Sequence, residues 1–227
     1  MLRKAIYYTK VNLLRLLVPN CDQWLVQSSL IANKLSDKFQ IDKSIIDILP
    51  FYPPLKGNYQ HQRIRNSFIF VSDATPHKNH YRLIQAFCDF FDEGNRGSLT
   101  LTIPEKAIEL TNLIKDKVKE GYPINNIGFV SRDSLFEQYS KHEYLVFPSL
   151  AESFGLGLVE AIECGCKIIA SDLPYTYQVC LPSLVFDPLN NKSIQEAFLK
   201  TQNSANIPYA QKKIADNIGT LITILEN

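Results

Sequence analysis

The chain has 227 residues and a mass of 25.9 kDa, enough for one large domain or one domain with part of another. It is 45% hydrophobic with only 9 Gly and 12 Pro, which supports a packed core and excludes collagen-like, low-complexity and wholly disordered chains. Lys+Arg number 24 and Asp+Glu 23, so the net charge is +1 and no global field draws the chain to nucleic acid.

The first segment is locally basic, with Arg3, Lys4, Lys10 and Arg15 and no acid before residue 19. Lys10 and Arg15 interrupt its apolar stretch and no small-residue cleavage site follows, so it does not read as a signal peptide. Nor does any run approach the ~20 apolar residues of a membrane span. The chain is expected in the cytoplasm. Helical spacing over about 3–18 puts Ile6, Leu13, Leu14 and Leu17 on one side, a face for a neighbouring element or for peripheral contact with a membrane surface. The five cysteines, Cys21, Cys88, Cys164, Cys166 and Cys180, form no C-x-x-C pair and read as thiols, not as disulfides or a zinc site.

Pro19-Asn20 ends the first helix. A strand over 22–28, a helix over 29–39 and a short apolar run at 44–49 follow. Residues 50–66, with Pro50, Pro53, Pro54 and Gly57, read as a linker. Beyond it, short apolar runs at 67–73, 98–104, 126–130, 143–149, 167–172 and 183–188 alternate with helical patterns at about 80–92, 105–119, 133–141, 154–164 and 175–180. Helices over about 191–203 and 209–226 close the chain. Strands that are apolar throughout and alternate with helices predict an α/β domain, a Rossmann-like doubly wound parallel sheet.

Ligands of such sheets bind beyond the carboxyl ends of the strands, so the loops leaving the strands carry the chemistry. After the fourth strand comes Leu150-Ala-Glu152-Ser-Phe154-Gly155-Leu156-Gly157-Leu-Val-Glu160. Gly155 admits close approach to the backbone, and the amides opening the next helix are unpaired donors suited to phosphate. Glu152 and Glu160 offer acceptor oxygens to vicinal hydroxyls on either side of that turn. Spacing alone leaves the plainer alternative open, with Glu152 a partner of the helix dipole and Glu160 a solvated helix residue. Gly155-Leu-Gly157 also begins a dinucleotide fingerprint with Asp172 after the next strand. However, Glu160 stands where its third glycine belongs, and the segment follows the fourth strand, not the first. After the first strand, Asp73-Ala-Thr-Pro-His-Lys78-Asn79-His80 supplies Lys78, either a phosphate cation or a surface lysine with Asn79 capping the next helix.

The run FPSLAESFGLGLVEAIECGCKIIASDLP, Phe147 to Pro174, together with LVFDPLN at Leu184 to Asn190, resembles the signature of retaining GT-B-fold glycosyltransferases of family 4, the group 1 transferases. Its E-x(7)-E spacing matches Glu152 and Glu160, and the similarity covers about residues 67–204. The resemblance implies that the chain is the C-terminal, donor-binding GT-B domain at 67–227, ending in a crossover helix. It is preceded by a short remnant of the N-terminal acceptor domain at 1–49 and the linker at 50–66. It implies transfer of a sugar from a nucleotide-sugar to a saccharide or lipid-linked acceptor, with no cofactor and no metal. In it Glu152 contacts the donor sugar, Glu160 holds the ribose, and the turn at Phe154, Gly155 and Leu156 meets sugar and diphosphate. Lys78 neutralises the departing diphosphate, and the loop at Phe129-Val130 lies near the base. Two positions depart from the pattern: Asp73 stands where many members have arginine, and Gln178 where many have glutamate. Arg132 is the expected substitute cation. A largely missing acceptor half further implies a separate acceptor-domain subunit or a homodimer, or else a module that binds the nucleotide-sugar without catalysing transfer.

Overall fold

The computed structural model describes residues 2–52 and 61–226. Contacts divide the chain into two compact units, residues 53–214 and residues 1–52 with 215–227.

In the smaller unit, helix α1 (Leu2–Leu17) precedes strand β1 (Trp24–Val26), helix α2 (Ser29–Phe39) and strand β2 (Ile46–Ile48). Ser28 caps α2 by accepting from the Ile31 amide, 3.4 Å, and Gln40 ends it in the left-handed region at φ 56°. The two strands pair in parallel, Trp24 opposite Ile46, over a small core of Val26, Ala32, Ile41 and Ile46. The last helix belongs to this unit: the Asn217 amide donates to Pro50 O, 2.8 Å, and the Tyr52 amide to Asp216 Oδ1, 3.1 Å. On α1 the apolar side chains Ile6, Leu13, Leu14 and Leu17 are exposed, whereas Val11 is buried. Among the described residues no helix is long and apolar enough to cross a membrane.

The larger unit is built on six parallel strands: β3 (Ile64–Phe70), β4 (Ser98–Leu101), β5 (Ile124–Asn126), β6 (His142–Phe147), β7 (Lys167–Ser171) and β9 (Leu184–Phe186). The short β8 (Cys180–Leu181) pairs separately, antiparallel with β10 (Gln211–Lys212). The helices are α3 (His80–Asp92), α4 (Ile108–Lys119), α5 (Arg132–Lys141), α6 (Leu156–Glu163), α7 (Pro174–Val179) and α8 (Asn191–Thr201). The sheet order is β5-β4-β3-β6-β7-β9. Winding therefore runs outward one way from β3 and reverses at β6, so the switch point lies between β3 and β6. The inner stretches of both central strands, Phe68–Phe70 and Tyr144–Phe147, are buried on both faces, which is why they are apolar, whereas the polar residues lie at the strand starts. Phe68 fixes one layer: its ring stacks on Tyr144 at 5.4 Å and meets the edges of Phe198 on α8 at 4.7 Å and of Phe87 and Phe90 on α3 at 6.3 Å each.

Several expected elements shift. The third strand lies at Ile124–Asn126, not at 126–130, because the Asn126 side chain turns into the ladder. Its Oδ1 accepts from the Ile103 amide, 2.8 Å, its Nδ2 donates to Ile103 O, 3.0 Å, and the strand stops there. Residues 209–217 are not helical; they hold β10, and the closing helix α9 spans only Ile218–Glu226. The first Rossmann strand begins at Ile64, inside the expected linker, whose residues 53–60 lie outside the described residues.

That linker also supplies an unforeseen structural residue. The Arg63 guanidinium donates to the carbonyls of Tyr139 (3.2 Å) and His142 at the end of α5, and of Cys164 at the end of α6. It thereby satisfies carbonyls that helix termini leave unpaired. Gly165 follows in the left-handed region at φ 79°, and a Cβ there would come within 2.7 Å of Arg63 Nη2. Gly165→Ala is expected to destabilise the fold by about 1–2 kcal/mol from the backbone conformation alone, and further by displacing Arg63. Urea unfolding of parent and variant checks this; an unchanged midpoint would contradict the packing described.

Candidate functional site

The two loops that leave β3 and β6 meet at the switch point. The Leu150 amide donates to His77 O, 2.7 Å, lacing one to the other. Asn79, buried and left-handed at φ 63°, completes the lacing: its Nδ2 donates to Pro148 O, 3.2 Å, and to Pro188 O, 2.8 Å, beyond β9. Asn79 occupies the N-cap position of α3 but makes no side-chain cap hydrogen bond. The expected capping role is thus replaced by a clamp across three strand ends, which no local pattern announces.

The clamp brings Lys78 and Glu152 together. Their side chains, 17% and 12% exposed, form an ion pair with Nζ 2.6 Å from Oε1. The Lys78 ammonium also lies 5.9 Å from the ring centroid of Phe147, the last residue of β6. Three residues after Glu152, Gly155 adopts φ 83° and ψ 43°, the left-handed turn that launches α6; its missing side chain makes that turn inexpensive. Helix α6 has no side-chain cap at this end and no acid in its first turn. The amides of Leu156 and Gly157 thus stand at the positive end of the helix dipole, and the N-cap residue, a glycine, has no side chain with which to cap them. The Phe154 side chain is buried.

Glu160 is not a solvated helix residue. It is buried within the second turn of α6, and its Oε1 lies 2.9 Å from Arg132 Nη2 in the first turn of α5. Burial pushes the Glu160 carboxyl above the usual carboxylate range, and Arg132 opposes that shift. Arg132, the expected substitute for the missing phosphate arginine, is thus paired with the second acid. Asp73, at that arginine's position, shapes its own loop: Oδ1 accepts from the Thr75 hydroxyl, 2.7 Å, and amide, 3.2 Å. Partial burial would raise its pKa, but these hydrogen bonds and the nearby Lys78 and His77 hold it below the ordinary value. Val130 is half-buried in the loop after β5, two residues before Arg132, next to Phe129, which is 86% exposed. The structure thus pairs Lys78 with Glu152 and Glu160 with Arg132, at opposite ends of one loop–helix segment. Val130 lies outside both pairs, two residues before the start of α5.

His80 and His142 are tied into the fold by their side chains. His80 shares a 2.9 Å hydrogen bond with the Ser72 hydroxyl and packs on Phe70 at 4.9 Å. Both ring nitrogens of His142 are hydrogen-bonded, to Gln138 O (2.7 Å) and the Thr100 hydroxyl (2.8 Å). Among the described residues no group of three or more His, Cys, Asp or Glu is set to hold a metal ion. The described cysteines are free thiols; Cys88, Cys164, Cys166 and Cys180 are buried.

The family model described as "Glycosyl transferases group 1" matches residues 55–201, more than half of the chain and the whole of the segment just described. The chain belongs to this family. One relative of this group 1 chain is the O-antigen chain mannosyltransferase RfbU of Salmonella typhimurium, 26% identical over 192 residues, or 82% of this chain and 52% of the relative. Another is the serotype-specific mannosyltransferase WbdA of Escherichia coli, 30% identical over 112 residues, or 48% of this chain and 14% of the relative. The chain thus spans about half or less of the length of the curated relatives it matches. Among solved structures, Anabaena Alr3699/HepE, in complex with UDP and glucose, superposes with a TM-score of 0.71 at 12% identity, covering 87% of this chain and 58% of that one. The pneumococcal O-GlcNAc transferase GtfA, with UDP and GlcNAc, gives a TM-score of 0.65 at 20% identity, covering 82% and 39%. These structures share the fold of this group 1 chain.

Burial holds the His80 pKa down to about 4, so His80 is neutral near neutral pH. The unfolded chain takes up this proton near pH 6.5, whereas the native state resists it until about pH 4. Stability is therefore expected to fall as pH drops through that window. His80→Gln, which keeps an amide within reach of Ser72, should lose less stability than the parent between pH 7 and pH 5, read from urea midpoints. Equal losses would contradict the buried neutral imidazole.

Proposed function

We propose that this group 1 chain is the donor-binding half of a retaining family 4 glycosyltransferase. It moves a sugar from a nucleotide-sugar to a saccharide or lipid-linked acceptor in the synthesis of a surface polysaccharide. The observation that carries this reading is the Lys78–Glu152 ion pair beside the α6 terminus that no side chain caps. A cation, a set of open amides and a carboxylate acceptor meet there at the switch point of a Rossmann-like sheet, which suits a diphosphate joined to a hydroxyl-rich sugar.

In this scheme the diphosphate sits over the amides of Leu156 and Gly157, with the turn at Phe154 and Gly155 approaching sugar and phosphate through backbone. Binding draws Lys78 from Glu152 toward the phosphates and releases the carboxylate to accept sugar hydroxyls. As the glycosidic bond breaks, the leaving nucleoside diphosphate gains negative charge, so Lys78 and the helix terminus stabilise the transition state more than the ground state. Glu160 accepts the ribose hydroxyls, and the loop at Phe129-Val130 lies beside the base. No metal is required, because the cation and the helix dipole neutralise the leaving group. Support for retention of configuration is the likeness of the 147–174 segment to the retaining family. The acceptor site belongs to the half of the relatives' length that this chain does not span, whether held by a separate subunit, a longer chain or a second copy. We place the work in the cytoplasm, where a nucleotide-sugar donor is to hand, with any membrane contact peripheral. The names of the relatives make a mannosyl donor the first to test.

A panel of UDP-, GDP- and ADP-sugars followed by thermal shift tests the reading. At least one is expected to raise the melting temperature at millimolar concentration; stabilisation by none would overturn it. Lys78→Ala and Glu160→Ala are each expected to weaken binding by about tenfold or more, the cost of losing hydrogen bonds to a charged group. The Lys78 effect should appear with nucleoside diphosphates and shrink with the bare nucleoside. If both variants bind like the parent, the site assignment is wrong.

A further inference from the structure

Arg132 stands at the first position of α5, where the helix dipole disfavours a cation. What compensates it lies across the helix pair, at Glu160 Oε1, 2.9 Å from Nη2. Phe136, one turn further along α5, backs the guanidinium with its ring centroid 5.0 Å away. Exposure across the pair is uneven, at 40% for Arg132 and 8% for Glu160, so the carboxylate lies inside and its cation at the rim. The other titratable groups coupled to Glu160 are Glu163 on its own helix, Cys164 at that helix's end and Tyr139 from α5. Glu163 is engaged by Lys212, Nζ 2.6 Å from Oε1, and burial keeps Tyr139 and Cys164 in their neutral forms. Of these neighbours Arg132 alone brings a positive charge, and a guanidinium never gives it up near neutral pH.

We propose that Arg132 is a positioning residue for nucleotide binding: by clamping one oxygen of Glu160 it fixes the carboxylate in the charge and orientation that ribose hydroxyls require. This rests on the reading of Glu160 as the ribose-binding acid. It reaches beyond the paired glutamates to a residue outside their segment, in the loop–helix that follows β5. Arg132 acts through Glu160 and needs no contact with the nucleotide itself.

The test is calorimetric titration of the full chain and of R132M and R132Q with UDP, GDP and ADP, and with the 2′,3′-dideoxy form of whichever binds, between about pH 5 and pH 8. Without Arg132 the buried carboxylate protonates at higher pH, and a protonated acid is a poorer acceptor. R132M and R132Q are therefore expected to bind the ribonucleotide roughly tenfold more weakly near pH 6 and to approach the parent as pH rises. With the dideoxy nucleotide, parent and variants should bind alike at every pH. Variants that lose melting temperature but keep the parent's affinity and pH profile would reduce the pair to a staple between α5 and α6 and overturn the proposal. An equal loss with the dideoxy form would also overturn it, by placing Arg132 on phosphate or base. Should both variants fail to fold, the parent decides: the diphosphate's own titration is common to both ligands, so the loss of affinity toward pH 5 must be larger for the ribonucleotide than for the dideoxy form, and equal losses overturn the proposal. If the parent binds none of the three ribonucleotides, the donor-site reading itself fails and this inference falls with it.

Discussion

The parallel pairing of β3 with β6 is the constraint on which the site depends. Phe68 lies opposite Tyr144 and Ile69 opposite Leu145. Because winding reverses between these two strands, the loops leaving them cannot be covered by a crossover helix and open side by side. The buried rings of Phe68, Tyr144, Phe87, Phe90 and Phe198 hold this register from below. Leu150 and Asn79 lace the loops from above. A one-residue slip would send Phe68 to the opposite face and separate Lys78 from Glu152.

Above that frame, two carboxylates in poorly solvated places are each matched by a cation from another element. Glu152 takes Lys78 from the loop after β3, and Glu160 takes Arg132 from the start of α5. Removing a carboxylate from water is costly unless its charge is met, and in each pair a cation from another element meets it. The two pairs differ in what they ask of a ligand. Under the proposed donor site, an anion at the start of α6 would compete with Glu152 for Lys78, whereas Arg132, at the rim, meets an acid that lies inside.

Much of the fold was legible because its signals are local. Buried parallel strands need apolar runs, and the helical patterns over 29–39 and about 191–203 lie close to α2 and α8, whose starts Ser28 and Asn190 cap. The departures occur where a side chain competes with the backbone. Asn126 ends β5 early by bonding Ile103, and Asn79 spends its amide on two distant carbonyls instead of capping α3. Arg63 read as linker because nothing in its neighbours shows that three carbonyls from distant segments converge on it. Arg132 read as a substitute phosphate cation just before a helix, and nothing in its neighbours names Glu160 as its partner.

By itself the sequence determined the element types, the alternation that requires a parallel sheet, and the glycine turn with its flanking glutamates, all consequences of short-range sterics and periodicity. Tertiary structure alone decided which cation meets which acid. Ion pairing acts over a few ångströms in space, and Lys78 and Glu152 are brought within that distance only by the adjacency of β3 and β6, strands that the chain separates by two intervening strands and their helices.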